Sequence, residues 1–108
     1  MDRALNDVSL LPWRAADGPP EAARVSAKMA ALGYAVTCYT YPPGADFPPH
    51  AHAFDKCSSV LAGHFEVTVG RRTWLLAPGD LLFIAAGVTH AARVVGSAAV
   101  TSLDGVRR

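Results

Sequence analysis

Residues 44–63 read GADFPPHAHAFDKCSSVLAG and contain two histidines one residue apart, His50 and His52. Side chains two residues apart in a β-strand project from the same face, so the two imidazoles can chelate one divalent metal ion. Two exposed or hydrogen-bonded histidines on an edge strand are the alternative. Pro48 and Pro49 favour an extended backbone, and we therefore expect a strand to begin close to His50.

A third histidine ends the segment PGDLLFIAAGVTH, residues 78–90. We expect a strand to begin at His90, after a turn at Gly87, with Ala92 and Val94 on the same face as the imidazole. A buried imidazole without a partner costs about 1–3 kcal/mol. A metal ion shared with the two upstream histidines would be such a partner.

Short strand patterns occupy most of the chain after residue 34. Residues 34–41 are rich in β-branched and aromatic side chains, and Phe65, Val67 and Val69 alternate with polar residues. The pattern also predicts a hairpin that turns at residues 62–63. Short strands separated by Gly and Pro turns, with one helix ahead of them, predict an all-β sandwich or barrel.

The first third of the chain reads differently. Residues 1–18 predict an extended arm that adds a short edge strand or covers a partner subunit. A helix is predicted over residues 21–32, after two prolines and before a glycine, with Val25, Met29 and Leu32 on its apolar face. We therefore assign residues 1–33 to the N-terminal arm and helix and residues 34–108 to the β-barrel, together one structural domain.

Composition excludes several classes of partner. The chain has 108 residues and a formal net charge of +1, without a large basic cluster, which argues against nucleic acid. No apolar run is long enough to span a bilayer, and the N-terminus lacks a signal-peptide core, so we expect a cytoplasmic protein without a membrane partner. Two cysteines do not make a disulfide framework. We expect both to be free, with Cys38 buried in a strand.

The two histidine segments resemble the two motifs of the cupin family, and the resemblance extends over about residues 34–103. It implies a jelly-roll β-barrel, usually a homodimer, with a divalent metal ion held by His50, His52 and His90. The identity of the metal is left open among Fe, Zn, Ni and Mn. The motif spacings are Gly44-x5-His50-x-His52-x3-Lys56-x6-Gly63 and Gly79-x5-Ala85-x-Gly87-x2-His90-x3-Val94.

Three positions depart from the family pattern: Lys56 replaces a glutamate ligand, Ala85 a proline and Val94 an asparagine. An ammonium cannot ligate a metal ion and is repelled by one. In the first interpretation the three histidines hold the metal alone, and Lys56 acts as the candidate catalytic residue that anchors an anionic substrate group. In the second, a one-residue shift brings Cys57 in as a thiolate ligand. In the third, the pocket contains no metal.

The resemblance implies a small-molecule ligand, and the expected pocket wall is apolar and aromatic. A small, partly apolar molecule with an anionic or chelating group fits such a wall. A redox metal would support oxygenation, and a non-redox metal would act as a Lewis acid in an isomerase or lyase. A non-catalytic, sensor-like binding protein is the competing class. The candidate pocket residues are Tyr39, Tyr41, Phe47, Phe54, Cys57 and Phe83.

Overall fold

The computed structural model describes residues 7–108, which form two antiparallel β-sheets and one short α-helix near the N-terminus. The predicted all-β jelly roll with a single short helix is confirmed. The helix α1 spans Ala22–Ala31, and a 3-10 turn spans Ala15–Asp17. The strands are β1 Val8–Leu11, β2 Ala35–Tyr41, β3 Asp46–His50, β4 Asp55–Ala62, β5 His64–Val69, β6 Arg72–Leu76, β7 Leu81–Ile84, β8 His90–Val95 and β9 Val100–Arg107.

The strand order places the two histidine segments in one sheet. The five-stranded sheet has the order β1-β7-β4-β9-β2, and the four-stranded sheet has the order β3-β8-β5-β6. Because β3 pairs with β8, His50 lies directly opposite His90 although the two are far apart in sequence. The pairing of these strands is therefore what assembles the site.

The predicted hairpin at residues 62–63 is wrong. The strands β4 and β5 follow each other through Gly63 but belong to different sheets. Gly63 has a φ of +81°, and a Cβ atom there would lie 2.4 Å from the carbonyl oxygen of Ala99. The alternating pattern identifies each strand correctly, but the chain passes from one sheet to the other at this close approach.

The strand bearing the first histidines also differs from the prediction, because β3 ends at His50 instead of beginning there. Pro48 and Pro49 lie inside the strand, and the pairing register shifts between Phe47 and His50. Prolines are tolerated here since β3 is the edge of its sheet. His52 lies beyond the strand end, in the loop that leads to β4.

Two apolar cores stabilise the fold. The inner core lies between the sheets and includes Val60, Leu82 and Val100, all completely buried. The outer core packs α1 against the other face of the five-stranded sheet through Val25 and Met29. The predicted apolar face of the helix is therefore correct at these two positions. It is wrong at Leu32, which follows the last helical turn and is 42% exposed.

The edges of the five-stranded sheet are β1 and β2. The predicted short edge strand is present, with Val8 opposite Ile84, while residues 1–6 of the predicted arm lie outside the described residues. Both cysteines are free, as expected, but Cys38 is exposed because β2 is an edge strand, so its predicted burial is wrong. Among the described residues, no helix has the length and apolar character needed to cross a bilayer.

Candidate functional site

A cavity of about 340 Å³ lies between the two sheets and contains the three histidines. The four-stranded sheet contributes residues from β3, β5 and β8, and the five-stranded sheet contributes residues from β2, β4 and β9. The two walls therefore bring together side chains from both halves of the sequence. The lining residues are Tyr39, Tyr41, Phe47, His50, His52, Lys56, Ser58, Phe65, Val67, His90, Ala92, Ser102 and Asp104.

The structure brings His50, His52 and His90 together in one cluster. The ring centroid of His50 lies 4.4 Å from that of His90 and 4.8 Å from that of His52. The centroids of His52 and His90 are 5.3 Å apart. One ring nitrogen of each histidine lies within 4.8 Å of those of the other two. The sequence-based expectation that the distant histidine converges with the neighbouring pair agrees with this geometry.

Backbone carbonyls orient two of the rings. His50 Nδ1 lies 2.7 Å from the carbonyl oxygen of Pro48, and His90 Nδ1 lies 2.9 Å from that of Val88. A carbonyl can only accept, so each Nδ1 donates its hydrogen. In the neutral ring this leaves the lone pair on Nε2, which is the arrangement that metal-binding histidines commonly adopt.

The surroundings favour uncharged imidazoles. Burial is the main cause that lowers the pKa of His52, and the Lys56 ammonium lowers it further. Burial also lowers the pKa of His90, which is only 7% exposed, although its hydrogen bond to Val88 acts in the opposite direction. An unprotonated ring nitrogen is the form that binds a metal ion.

The cluster is compatible with a metal ion. Zinc lies about 2.0–2.1 Å from a histidine nitrogen, so two such ligands are at most about 4.2 Å apart. A small rotation of the rings reaches that separation from the 4.8 Å limit seen here. Within residues 7–108, these three histidines are the one group of ligand-type side chains arranged in this way.

A partly buried ion pair between Lys56 and Asp104 lies in the five-stranded wall of the cavity. Lys56 Nζ donates to Asp104 Oδ1, and the two side chains are 13% and 20% exposed. Asp104 lies opposite Ser58 in the pairing of β4 with β9. Asp104 is a cavity residue that the sequence motifs do not include. A usable signal was the alternation of Val100, Ser102 and Asp104 on one face of β9.

The aromatic part of the wall contains three of the predicted residues, Tyr39, Tyr41 and Phe47, together with Phe65. The ring centroid of Tyr41 lies 4.8 Å from that of Phe47 and 5.5 Å from that of Phe65. Burial raises the pKa of the Tyr41 phenol, and the negative charge of Asp104 raises it further. Tyr41 therefore stays protonated near neutral pH.

Three predicted pocket residues lie elsewhere. Cys57 and Phe83 point to the opposite face of the five-stranded sheet and pack in the outer core, since they alternate with the inward-facing Lys56 and Leu82. The alternative in which the Cys57 thiolate binds the metal does not fit this placement, because Cys57 lies on the side of the sheet away from the histidines. Burial also raises the pKa of its thiol to about 12. Phe54 lies outside the lining and stacks on His52 with a centroid distance of 5.0 Å.

Comparison with known protein families identifies the family of this chain. The family described as a cupin domain matches residues 37–105. The chain belongs to the cupin family. A search of curated proteins gives no match.

Solved cupin-like structures resemble this cupin at low sequence identity. KdgF from Halomonas sp. is 25% identical over 70% of this chain and 71% of its own, with a TM-score of 0.60. DMSP lyase DddQ from Ruegeria pomeroyi DSS-3 is 28% identical over 70% of this chain and 39% of its own, with a TM-score of 0.62.

A Streptococcus pyogenes protein of unknown function, SPY1581, is 25% identical over 70% of this chain, with a TM-score of 0.59. This cupin spans 66% of the length of SPY1581 and 39% of that of DddQ. The likeness therefore concerns the barrel, and DddQ has additional chain beyond it.

Proposed function

We propose that this cupin binds a divalent transition metal ion through His50, His52 and His90 and holds a small, partly apolar, anionic or chelating molecule beside it. The observation that carries the proposal is the convergence of three imidazoles, two of which bind a backbone carbonyl through Nδ1 and therefore have Nε2 left for a metal ion. Three histidine ligands leave coordination positions open for a ligand.

The cavity walls support a ligand with two kinds of surface. Lys56 is paired with Asp104 on the five-stranded side, and the remaining hydrogens of its ammonium bind an anionic group of the ligand. Tyr41, Phe47 and Phe65 supply an apolar surface on which a flat or aliphatic part packs. The volume of about 340 Å³ lies in the range of small-molecule sites.

For the reaction class we favour a Lewis-acid lyase or isomerase over the oxygenase considered from the sequence. The similarity to a DMSP lyase supports this choice. A bound divalent ion supplies Lewis acidity, which polarises a carbonyl or carboxyl group of the substrate. Lys56 orients the anionic end, and the hydroxyl of Tyr41, which lines the cavity, is available to donate a hydrogen bond to the substrate. The apolar surface of the aromatic wall lowers the local dielectric constant, which strengthens both interactions.

Metal analysis of untagged protein tests the proposal. We expect about one transition metal ion per chain in the wild type and near-complete loss in His50→Ala and His90→Ala. His64→Ala is the matched control, because His64 is exposed at the start of β5 and outside the cavity. Equal metal retention in the His90→Ala and His64→Ala variants would overturn the proposal.

A turnover screen separates the enzyme from the non-catalytic alternative. Metal-loaded protein incubated with a panel of chelating carboxylates is expected to show elimination or isomerisation without oxygen consumption. Stoichiometric oxygen uptake would instead favour the oxygenase, and tight binding without conversion would favour a sensor-like cupin. The homodimer implied by the family stays a prediction, to be tested by light scattering.

A further inference from the structure

We infer that the natural ligand of the cavity is a carboxylic acid with a hydroxyl or amino group close to the carboxylate, and that Lys56 and Asp104 bind these two groups side by side. The inference rests on the proposed role of the cavity as a ligand site. It adds the chemical class of the ligand and assigns a specificity-determining role to Asp104.

Lys56 and Asp104 both have unused hydrogen-bonding capacity. An ammonium has three donor hydrogens, and a carboxylate has two acceptor oxygens. In the described part of the chain, Asp104 Oδ1 is the partner of Lys56 Nζ, and neither group has another hydrogen-bond partner. Two ammonium hydrogens and Asp104 Oδ2 are therefore available to a bound molecule.

Both side chains are partly buried, at 13% and 20% exposed, and both line the cavity. Within the described residues, the buried side-chain atom without a hydrogen-bond partner is Ser59 Oγ, so Asp104 Oδ2 is accessible to water or to a bound molecule. A ligand that supplies an acceptor to Lys56 and a donor to Asp104 satisfies both groups, whereas a simple carboxylate satisfies only Lys56.

The cavity residues around the Lys56–Asp104 pair define the rest of the ligand. Lys56 and Asp104 line the same cavity as the three histidines and the aromatic wall of Tyr41, Phe47 and Phe65. A carboxylate and its neighbouring donor therefore face the ion pair while an apolar substituent packs on the rings. The negative charge of Asp104 also opposes a second carboxylate in the ligand. The class that fits is a small monocarboxylic α-hydroxy or α-amino acid with an apolar side chain.

Three probes that differ in one substituent test the inference: phenylacetate, mandelate with an added hydroxyl, and phenylglycine with an added amine. Affinities are measured by isothermal titration calorimetry on zinc-loaded protein. We expect mandelate and phenylglycine to bind at least ten-fold more tightly than phenylacetate. Equal affinities for the three probes would overturn the inference.

Variants distinguish Asp104 from other sources of the preference. Asp104→Asn keeps an acceptor oxygen but removes the charge, so it should retain the preference for mandelate and lose that for phenylglycine. Asp104→Ala should lose both preferences, and Lys56→Met should weaken all three probes by a similar factor. Glu66→Gln, which alters the surface pair with Arg93, is the control and should change nothing. If a preference survives in both Asp104 variants, a group other than Asp104 binds the hydroxyl or amino group of the probe.

The isosteric Asp104→Asn variant keeps the test decisive if Asp104→Ala fails to fold. Metal content is measured on the same samples. If the wild-type protein binds no zinc but still prefers mandelate and phenylglycine, the proposed metal centre alone is refuted. If it binds stoichiometric zinc but shows no preference among the probes, the ligand class alone is refuted.

Discussion

Lys56 shows how one substitution changes the electrostatics of a cupin site. The family places a glutamate ligand where this chain has a lysine. The first motif of this chain therefore supplies no carboxylate at that ligand position. The structure supplies a carboxylate from a different strand, since Asp104 on β9 pairs with the ammonium. The cavity therefore contains three imidazoles and a charge-balanced pair, and a bound divalent ion would keep its full charge for an anionic ligand.

Two histidines, His52 and His90, make the stability of the metal-free protein depend on pH. The pKa of His52 and that of His90 are lowered by burial, so below about pH 6.5 the unfolded chain binds more protons than the folded one. The free energy of unfolding should thus be steady above pH 7 and fall as the pH drops below 6.5. Urea denaturation of apo-protein between pH 5 and 8 measures this.

The His90→Gln variant isolates the contribution of the buried ring. Its unfolding free energy should fall less between pH 7 and pH 5 than that of the wild type, because one of the two depressed groups is gone. An identical slope in both proteins would contradict the assignment.

At the scale of elements, the contact between α1 and the five-stranded sheet depends on the absence of a side chain. A Cβ atom at Gly105 would lie 2.9 Å from Met29 Cε and 3.1 Å from Tyr34 Cβ. Both neighbours are buried in the outer core. Gly105 thus allows the helix to approach β9 closely, on the face opposite Asp104.

Gly105→Ala should therefore lower the free energy of unfolding by about 1–3 kcal/mol through overpacking. Guanidinium denaturation at pH 7.5 measures the change. Adding Met29→Val shortens the flexible neighbour, and the double variant should lose less stability than the sum of the single ones. Simple additivity would argue against a steric cause.

The sequence predicts the individual strands better than it predicts which strands pair with each other. The alternation of Phe65, Val67 and Val69 identified β5, and the motif spacing identified the histidines that converge. Neither pattern shows that β4 pairs with β9, which is why Asp104 was missed. Cys57 and Phe83 were assigned to the wrong face because an apolar or thiol side chain suits either core. The bounds of β3 were wrong because an edge strand accepts prolines.

At the scale of the whole molecule, a metal ion would join structures that are distant in sequence. His50 and His90 belong to paired strands, and His52 belongs to the loop that leads into the other sheet. An ion held by all three binds the folded state and has no comparable site in the unfolded chain. Its affinity therefore adds to the stability of the entire barrel.

Zinc at 100 times its Kd should stabilise the protein by about 2.7 kcal/mol, which raises the Tm of a domain of this size by about 10 °C. Thermal unfolding with and without EDTA measures the shift. His64→Ala should respond like the wild type, and His90→Ala should show no shift. A shift of equal size in His90→Ala would mean that zinc binds elsewhere.

The strand that leads into the histidine pair also affects how the protein behaves at high concentration. A strand at the margin of a sheet offers its backbone to any extended chain that approaches it. Pro48 and Pro49 carry no amide hydrogen. Because the N–H positions of successive residues alternate between the two edges of a strand, the pair removes a donor from the free margin. Pro48 and Pro49, which directly precede His50 in the strand, thus also disfavour edge-to-edge polymerisation of neighbouring copies.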